Sequence, residues 1–299
     1  MPKRRSTSAD YWTDLLSRAL IRGMKTLPYR YRVPAMGRFV SRVLAPAAGW
    51  DRRVRANLAH ALPDLPEAEI RRLVRAVPDN VGRTLIEVYS GGELKRRLAG
   101  LRPTGPGLAA LEQARAAGQP ILFVTAHTGN FAALRPVLEA AGYPVAALYR
   151  PMDIAAFNEH YRAALAEMGE PLLPTDRKGL AAFVRNLSRG GNGFLLTDVY
   201  NIGGAPVTFF GQTAPSPVSA AKWALRYDAL LVPAYSRRLP SGLDFEMIVD
   251  APIPPGDPVE MTQQINDRLE AFVRDNLEQW FWIHRRWKPE RDRGPEGAA

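Results

Sequence analysis

The sequence predicts an α/β protein: a single-layer central sheet, mostly parallel or mixed, flanked by helices and preceded by a helical, membrane-associating N-terminal region. Three observations predict it. Short apolar runs rich in β-branched residues alternate with periodic helical segments from residue 120 onward. One repeat, Pro120 to Tyr149, reads as a complete β-loop-α-β unit. Before residue 100, by contrast, apolar residues recur mostly at helical spacing. The expected organisation is an amphipathic and helical region over 1–100, an α/β domain over 101–289 and a loose tail over 290–299.

The charge of +10 is uneven. Residues 1–60 carry thirteen Lys/Arg against three Asp, and the remaining 239 balance at twenty-seven each. A basic arm suits nucleic acid or an anionic membrane surface. Helical spacing favours the membrane: Trp12, Leu15, Leu16, Ala19, Leu20, Met24 and Leu27 share one periodicity, as do Met36, Phe39, Val40, Val43 and Leu44. Arg18, Arg22, Lys25, Arg38 and Arg42 interleave with them, the pattern of interfacial helices; ordinary packing on a core is the competing reading of the apolar face. No apolar run reaches the ~20 residues needed to span a bilayer, and the basic start lacks the apolar core of a signal peptide. Peripheral attachment at the cytoplasmic face of a membrane is expected.

Residues 51–97 read as helices broken by a turn at Pro63 to Pro66. Arg83 and Glu87 are four apart, an ordinary exposed pair. After a Pro/Gly break at 101–107, a short helix over 108–117 feeds the strand Ile121 to Thr125. His127, Thr128, Gly129 and Asn130 follow that strand, then a helix over 131–141 ended by Gly142, then the strand Val145 to Tyr149. Ligands of open α/β sheets bind outside the carboxyl ends of the strands, so His127 is placed where a base is useful. Gly129 permits close backbone approach. Asn130 either caps the helix or turns its amide to substrate.

Arg150 ends the second strand and suits a phosphate or carboxylate, unless Asp153 takes it as a salt-bridge partner. Helices are expected over 154–167 and 176–187, and a short extended piece at Pro171 to Pro174. A further buried strand, Gly193 to Thr197, ends at Asp198, which brings a carboxylate to the same sheet edge as His127. Glu139 lies two turns into its helix, away from that edge. Strands at 230–235 and 245–249 and helices at 219–226 and 261–276 complete the pattern. Near the carboxyl end Trp280, Phe281, Trp282 and Trp287 interleave with His284, Arg285, Arg286 and Lys288, an arrangement that suits a phospholipid headgroup zone. Nucleic-acid stacking is disfavoured, since no RNA- or DNA-binding module is recognisable.

With no cysteine there is no disulfide framework and no thiolate nucleophile. The four histidines, His60, His127, His160 and His284, show no metal-ligand spacing, so no metal is expected. A Gly-x-Ser-x-Gly elbow is also missing, so a covalent intermediate by either of those two routes is not expected.

Several blocks together resemble the lipid A biosynthesis (lauroyl/myristoyl) acyltransferase family of the lysophospholipid acyltransferase superfamily. They are RRVRANLAHALPD from Arg52, GRTLIEVY from Gly82, AHTGNF at the histidine, YRPMD from Tyr149, LLTDVYNIGGAPVTFFG from Leu195 and QWFWIHRRWKP from Gln279. The resemblance covers most of the chain, and its blocks fall in the right order. It implies a glycerolipid-acyltransferase-like fold and direct acyl transfer from an acyl-carrier-protein or acyl-CoA thioester to a hydroxyl of a lipid A precursor or related lysolipid, with no cofactor.

In that reading His127 is the base and backbone N–H groups at Gly129 and Asn130 meet the oxyanion. Arg150 neutralises acceptor phosphate, and Arg177 and Lys178 assist. Val207 to Phe210 with Gly211 lines the acyl site, and His284 and Arg285 approach the substrate. One departure stands out. The superfamily places an acid five positions after its histidine, and here that position is Ala132. Asp198 is then the candidate to orient the imidazole. A catalytically impaired lipid-binding relative, or another interfacial lipid enzyme of α/β type, remains the alternative.

Overall fold

The structure, a computed structural model, describes residues 7–288; the expected tail at 290–299 lies outside them. Its centre is a six-stranded sheet. The strands are β1 (Ile121–Thr125), β2 (Val145–Tyr149), β3 (Leu172–Pro174), β4 (Asn192–Leu196), β7 (Leu230–Arg238) and β8 (Phe245–Val249), in the order β3-β2-β4-β1-β7-β8. All neighbours pair in parallel except β7 with β8. Two short strands, β5 (Thr208–Phe209) and β6 (Gln212–Thr213), form a separate hairpin.

The apolar run of β1 is explained by burial on both faces. Ile121 and Phe123 pack with Leu111, Leu134 and Val137 on one side. Leu122 and Val124 pack with Phe183, Leu187 and Ala220 on the other. Helices Leu108–Ala116 and Leu134–Ala140 therefore cover one face, and Arg177–Ser188, Ser219–Arg226 and Pro258–Arg274 the other. The segment expected to be helical from residue 131 begins as a 3-10 turn, Phe131–Ala133, and becomes α-helical only at Leu134.

The first third of the chain is helical, as its periodicity requires: Ser8–Lys25, Tyr29–Phe39 running on through a π turn at Val40–Leu44, Trp50–Ala61, Glu67–Val88 and Gly91–Leu98. Thr7 and Asp10 form a capping box at the first helix. The two apolar stripes read from the sequence have different fates. Met36 and Val40 are buried against Ile86, whereas Tyr11, Trp12, Leu15 and Leu16 stay exposed, with Val43 and Leu44 also open to solvent. No helix among the described residues is long and apolar enough to cross a membrane.

The first helix is nevertheless anchored. Asp14 accepts from Arg18 Nε at 2.8 Å and meets His160 Nε2 at 3.1 Å, while His160 Nδ1 lies 2.6 Å from the Tyr89 hydroxyl. A carboxylate can only accept, so His160 donates from Nε2 and receives the Tyr89 proton at Nδ1. This chain ties the N-terminal helix to Ala155–Ala166, whose Tyr161 and Leu165 border the cavity described next.

Candidate active site

His127 sits two residues beyond β1, at the carboxyl edge of the sheet, in a loop whose backbone is held from behind. The His127 carbonyl accepts from the Phe281 N–H at 3.0 Å, and the Gly129 N–H donates to the Gln279 carbonyl at 3.1 Å. The Gly129 carbonyl accepts from Asn80 at 3.1 Å and Thr84 at 2.8 Å. Only glycine fits here: its φ is +53°, and an added Cβ would lie 1.9 Å from the Ser236 carbonyl.

Asn130 is fully buried, makes no capping bond and donates to Glu87 at 2.9 Å. Asn130 therefore neither caps the helix nor turns its amide to substrate, the two roles read from the sequence, and the close approach that Gly129 permits is to the Ser236 carbonyl. Glu87 is equally unexpected. It is fully buried and takes a two-pronged bond from Arg238, at 2.5 and 2.8 Å, while Arg83 pairs with Asp79. The exposed Arg83–Glu87 pair does not form, because β7 delivers a second arginine that no local spacing announces.

The parallel pairing of β1 with β4 carries Asp198 to His127. The Asp198 carboxylate accepts from the His127 backbone N–H at 2.9 Å and from its Nδ1 at 2.8 Å, and Trp280 Nε1–H donates to it at 3.0 Å. Asp198 is fully buried. Burial acts to raise its carboxyl, but the charge and hydrogen bond of His127, with His284 and the His127 N–H, hold it well below the usual carboxylate range. An ionised carboxylate only accepts, so Nδ1 carries the proton and Nε2 is the nitrogen left to accept one.

The ring of His127 is fixed by its neighbours. Phe131, Phe281 and His284 surround it with ring centres at 5.2, 6.1 and 4.6 Å. His284 Nε2 lies 3.2 Å from His127 Nδ1. Burial first, and His127 second, push His284 down to about 3, so it is neutral at physiological pH. The three donor groups His127, Asp198 and His284 thus converge although their sequence spacing shows no metal motif. Their separations of 2.8 and 3.2 Å are hydrogen-bond lengths.

His127 and His284 open onto a cavity of about 660 Å³. Its wall is largely apolar, with Ala132, Ala147, Leu165, Met168, Leu172 and Phe194 prominent, and Arg150 belongs to it. Arg150 is exposed and makes no salt bridge to Asp153. Ala132, buried in the wall, contributes no acid.

Other expected site residues lie elsewhere. Arg177 and Lys178 are exposed on the first turn of their helix and stand outside the cavity wall, which Thr175 and Leu180 supply instead. Gly211 occupies the turn of the β5–β6 hairpin, where φ is +68°, and Phe209 and Phe210 pack into the core rather than lining the cavity. Arg285 is exposed and away from it, while Arg286 is buried and binds the Pro215 carbonyl and Ser216 hydroxyl at 3.2 and 2.6 Å. Trp280, Trp282 and Trp287 are buried in the same core as Phe209, so they form no headgroup belt; of that aromatic run Trp280 reaches Asp198, and Phe281 and His284 reach the His127 ring.

A second cavity, of about 890 Å³, lies behind the His127 loop, where Asn80 and Gln279 line it. Seven arginines line it, among them Arg38, Arg42 and Arg75, which have no side-chain partner among the described residues.

A profile of the bacterial lipid A biosynthesis acyltransferases matches residues 2–289. The chain belongs to that family. It is 26% identical to the lipid A biosynthesis lauroyltransferase of Escherichia coli K12 over 300 residues, covering 96% of this chain and 94% of that protein. It is 21% identical to a lipid A biosynthesis acyltransferase of Haemophilus influenzae over 277 residues, covering 91% and 86%. A phosphatidylinositol mannoside acyltransferase of Mycobacterium tuberculosis is 26% identical over 248 residues, covering 80% and 78%. Membership makes acyl transfer the chemistry against which the dyad is read, and the relatives' names show that acceptors differ within this range of similarity.

Proposed function

We propose that this protein transfers a fatty acyl chain from an acyl-carrier-protein or acyl-CoA thioester to a hydroxyl of a lipid A precursor or related lysolipid, with His127 as general base. The observation that carries the reading is the buried Asp198 carboxylate at 2.8 Å from His127 Nδ1, with the same imidazole on the wall of an apolar cavity. Asp198 takes the place of the acid that Ala132 lacks: it fixes the tautomer and stabilises the imidazolium that forms.

His127 Nε2 removes the acceptor hydroxyl proton as that oxygen attacks the thioester carbonyl. Collapse of the tetrahedral intermediate breaks the carbon–sulfur bond, and the imidazolium returns the proton to the departing thiolate. The Gly129 N–H is already donated to the Gln279 carbonyl, and Asn130 is fully buried outside the cavity wall, so neither is assigned to the oxyanion. Arg150, exposed in the cavity wall, suits an acceptor phosphate. No cofactor is needed, since the thioester supplies the activated acyl group.

The surroundings favour an anionic donor and a membrane setting. The arginine-lined cavity adjoins the His127 loop and suits an acidic carrier protein. The exposed Tyr11, Trp12, Leu15 and Leu16 share a helix with Arg18, Arg22 and Lys25, which suits peripheral attachment to the anionic cytoplasmic face of a bacterial inner membrane.

The deciding experiment incubates the purified protein with labelled acyl-carrier protein and candidate lipid acceptors. The expected result is acyl transfer that His127→Ala abolishes and Asp198→Asn lowers by about 10² to 10⁴. Lipid binding without turnover in the unaltered protein would sink the enzymatic reading and favour a binding relative. Full activity in Asp198→Asn would remove Asp198 from the mechanism.

A further inference from the structure

The cavity that holds His127 ends on a charge. Arg135 lines it, is 5% exposed, and has Nε and Nη1 buried with no hydrogen-bond partner. Its Nη2 alone is engaged, donating to the Val145 and Pro171 carbonyls at 3.2 Å each. These anchors give its height in the fold. Val145 is the first residue of β2 and pairs with Asn192, the first of β4. The neighbouring register, Leu122 with Gly193, sets Ile121 at the same level.

Arg135 therefore sits level with the beginnings of the strands, whereas His127 lies beyond their ends. At about 3.3 Å per residue, the four steps from Val145 to Tyr149 alone separate the two levels by ~13 Å. The wall between them is apolar: Ala147, Phe194, Leu165, Met168 and Leu172. The guanidinium is also held in a costly setting, since burial pushes it down to about 10, with Glu170 and Glu139 near enough to oppose the shift.

We propose that Arg135 is the residue that sets acyl-chain length, its guanidinium forming the polar end wall of an alkyl cavity that starts at His127. The inference rests on the acyl-transfer reading for the orientation of the chain. A methyl terminus that stops short of Arg135 leaves the guanidinium on its two carbonyls. One more increment of chain has to push it off Val145 and Pro171, stranding a buried charge and two acceptors, a loss no apolar contact can replace. The limit on length is thus set by the cost of displacing a buried charge, and it is abrupt. A wall of leucine would instead give way by small repacking.

The test reads binding, without turnover. Saturated S-alkyl thioethers of coenzyme A, from octyl to octadecyl, are titrated against the full chain by calorimetry. For the unaltered protein, affinity is expected to climb with length and then break sharply. Arg135→Leu is expected to move the break to longer chains and to tighten the first rejected thioether by about tenfold; Arg135→Lys keeps the break. Because Arg135→Leu also frees two carbonyls and can compromise folding, Ala147→Leu provides an independent arm: it narrows the column midway and moves the break to shorter chains.

A break that stays in place in a folded Arg135→Leu protein, or that ignores Ala147→Leu, overturns the proposal, as does failure of every alkyl chain to bind. The two readings fail separately. A shifting break without acyl transfer removes the enzymatic reading alone, and His127-dependent transfer with an unmoved break removes Arg135 alone.

Discussion

The Asp198 carboxylate grips His127 twice, one oxygen on the backbone N–H at 2.9 Å and the other on Nδ1 at 2.8 Å. A single buried side chain therefore positions both the loop and the ring. The acid bonded to the histidine lies two residues past β4, the strand adjacent to β1, and not in the segment that follows His127. This is how the site accommodates Ala132.

Restoring a carboxylate at that position should accordingly bring no benefit. Ala132 is 2% exposed, and Nδ1 already has its acceptor. Ala132→Glu is expected to raise transfer less than about threefold, and to destabilise the fold by ~1–3 kcal/mol through an unpaired buried charge. Steady-state rates and denaturant midpoints measure both. A gain of two orders of magnitude would show that Asp198 does not do the work assigned to it.

The Glu87–Arg238 pair should matter for stability and activity together. Arg238→Leu strands a fully buried carboxylate, at a cost of about 3–5 kcal/mol. It also removes the Nε–H that donates to Asn80 Oδ1 at 2.8 Å, and the Asn80 side chain supports Gly129. Urea unfolding should show the loss, and adding Glu87→Gln should recover part of it. An unchanged midpoint would mean the pair is solvated in solution.

His284 should shape the acid limb of stability. Its folded-state value of about 3 lies below the ordinary ~6.5. Between those two values the unfolded chain binds the proton and the folded one does not. Stability is therefore complete above about 6.5 and falls on acidification, by up to ~1.4 kcal/mol per pH unit from this group. Asp198 works in the same direction at lower pH: its depressed value gives stability above ~3.9 that is lost as pH drops further. Melting of His284→Gln between pH 7 and pH 4 should show a flatter slope than the parent; an identical slope would place the titration elsewhere.

The exposed face of the first helix should govern vesicle binding. Trp12 and Leu16 are 57% and 65% exposed, so Trp12→Ser with Leu16→Ser leaves the core untouched. At ~1.5 kcal/mol for each side chain, partition onto phosphatidylglycerol vesicles should weaken about a hundredfold. Flotation assays would show it, with thermal melting unchanged. Undiminished flotation would leave that face without a membrane role.

Local pattern was enough for much of this protein. The runs 121–125, 145–149 and 245–249 are strands at the residues expected; the first is continuously apolar because it is buried on both faces, and the last alternates in burial as an edge strand does, both patterns visible in a handful of consecutive letters. His127 stood out for a related reason, since a polar group directly after such a run falls at the sheet edge. Pairing across long separations was a different matter. Asp198 could be placed at the right edge, but its bond to His127 depends on which strands are neighbours, and Trp280 completing the carboxylate is a contact across 82 residues. Glu87 looked like the partner of Arg83 because helix spacing is the only geometry a sequence displays; Arg238, 151 residues away, claimed it through the register of β7. The same limit sent Trp280, Trp282 and Trp287 to the core and left Arg135 unnoticed. Interleaved letters show which residues alternate, and only packing decides which side of the alternation meets water.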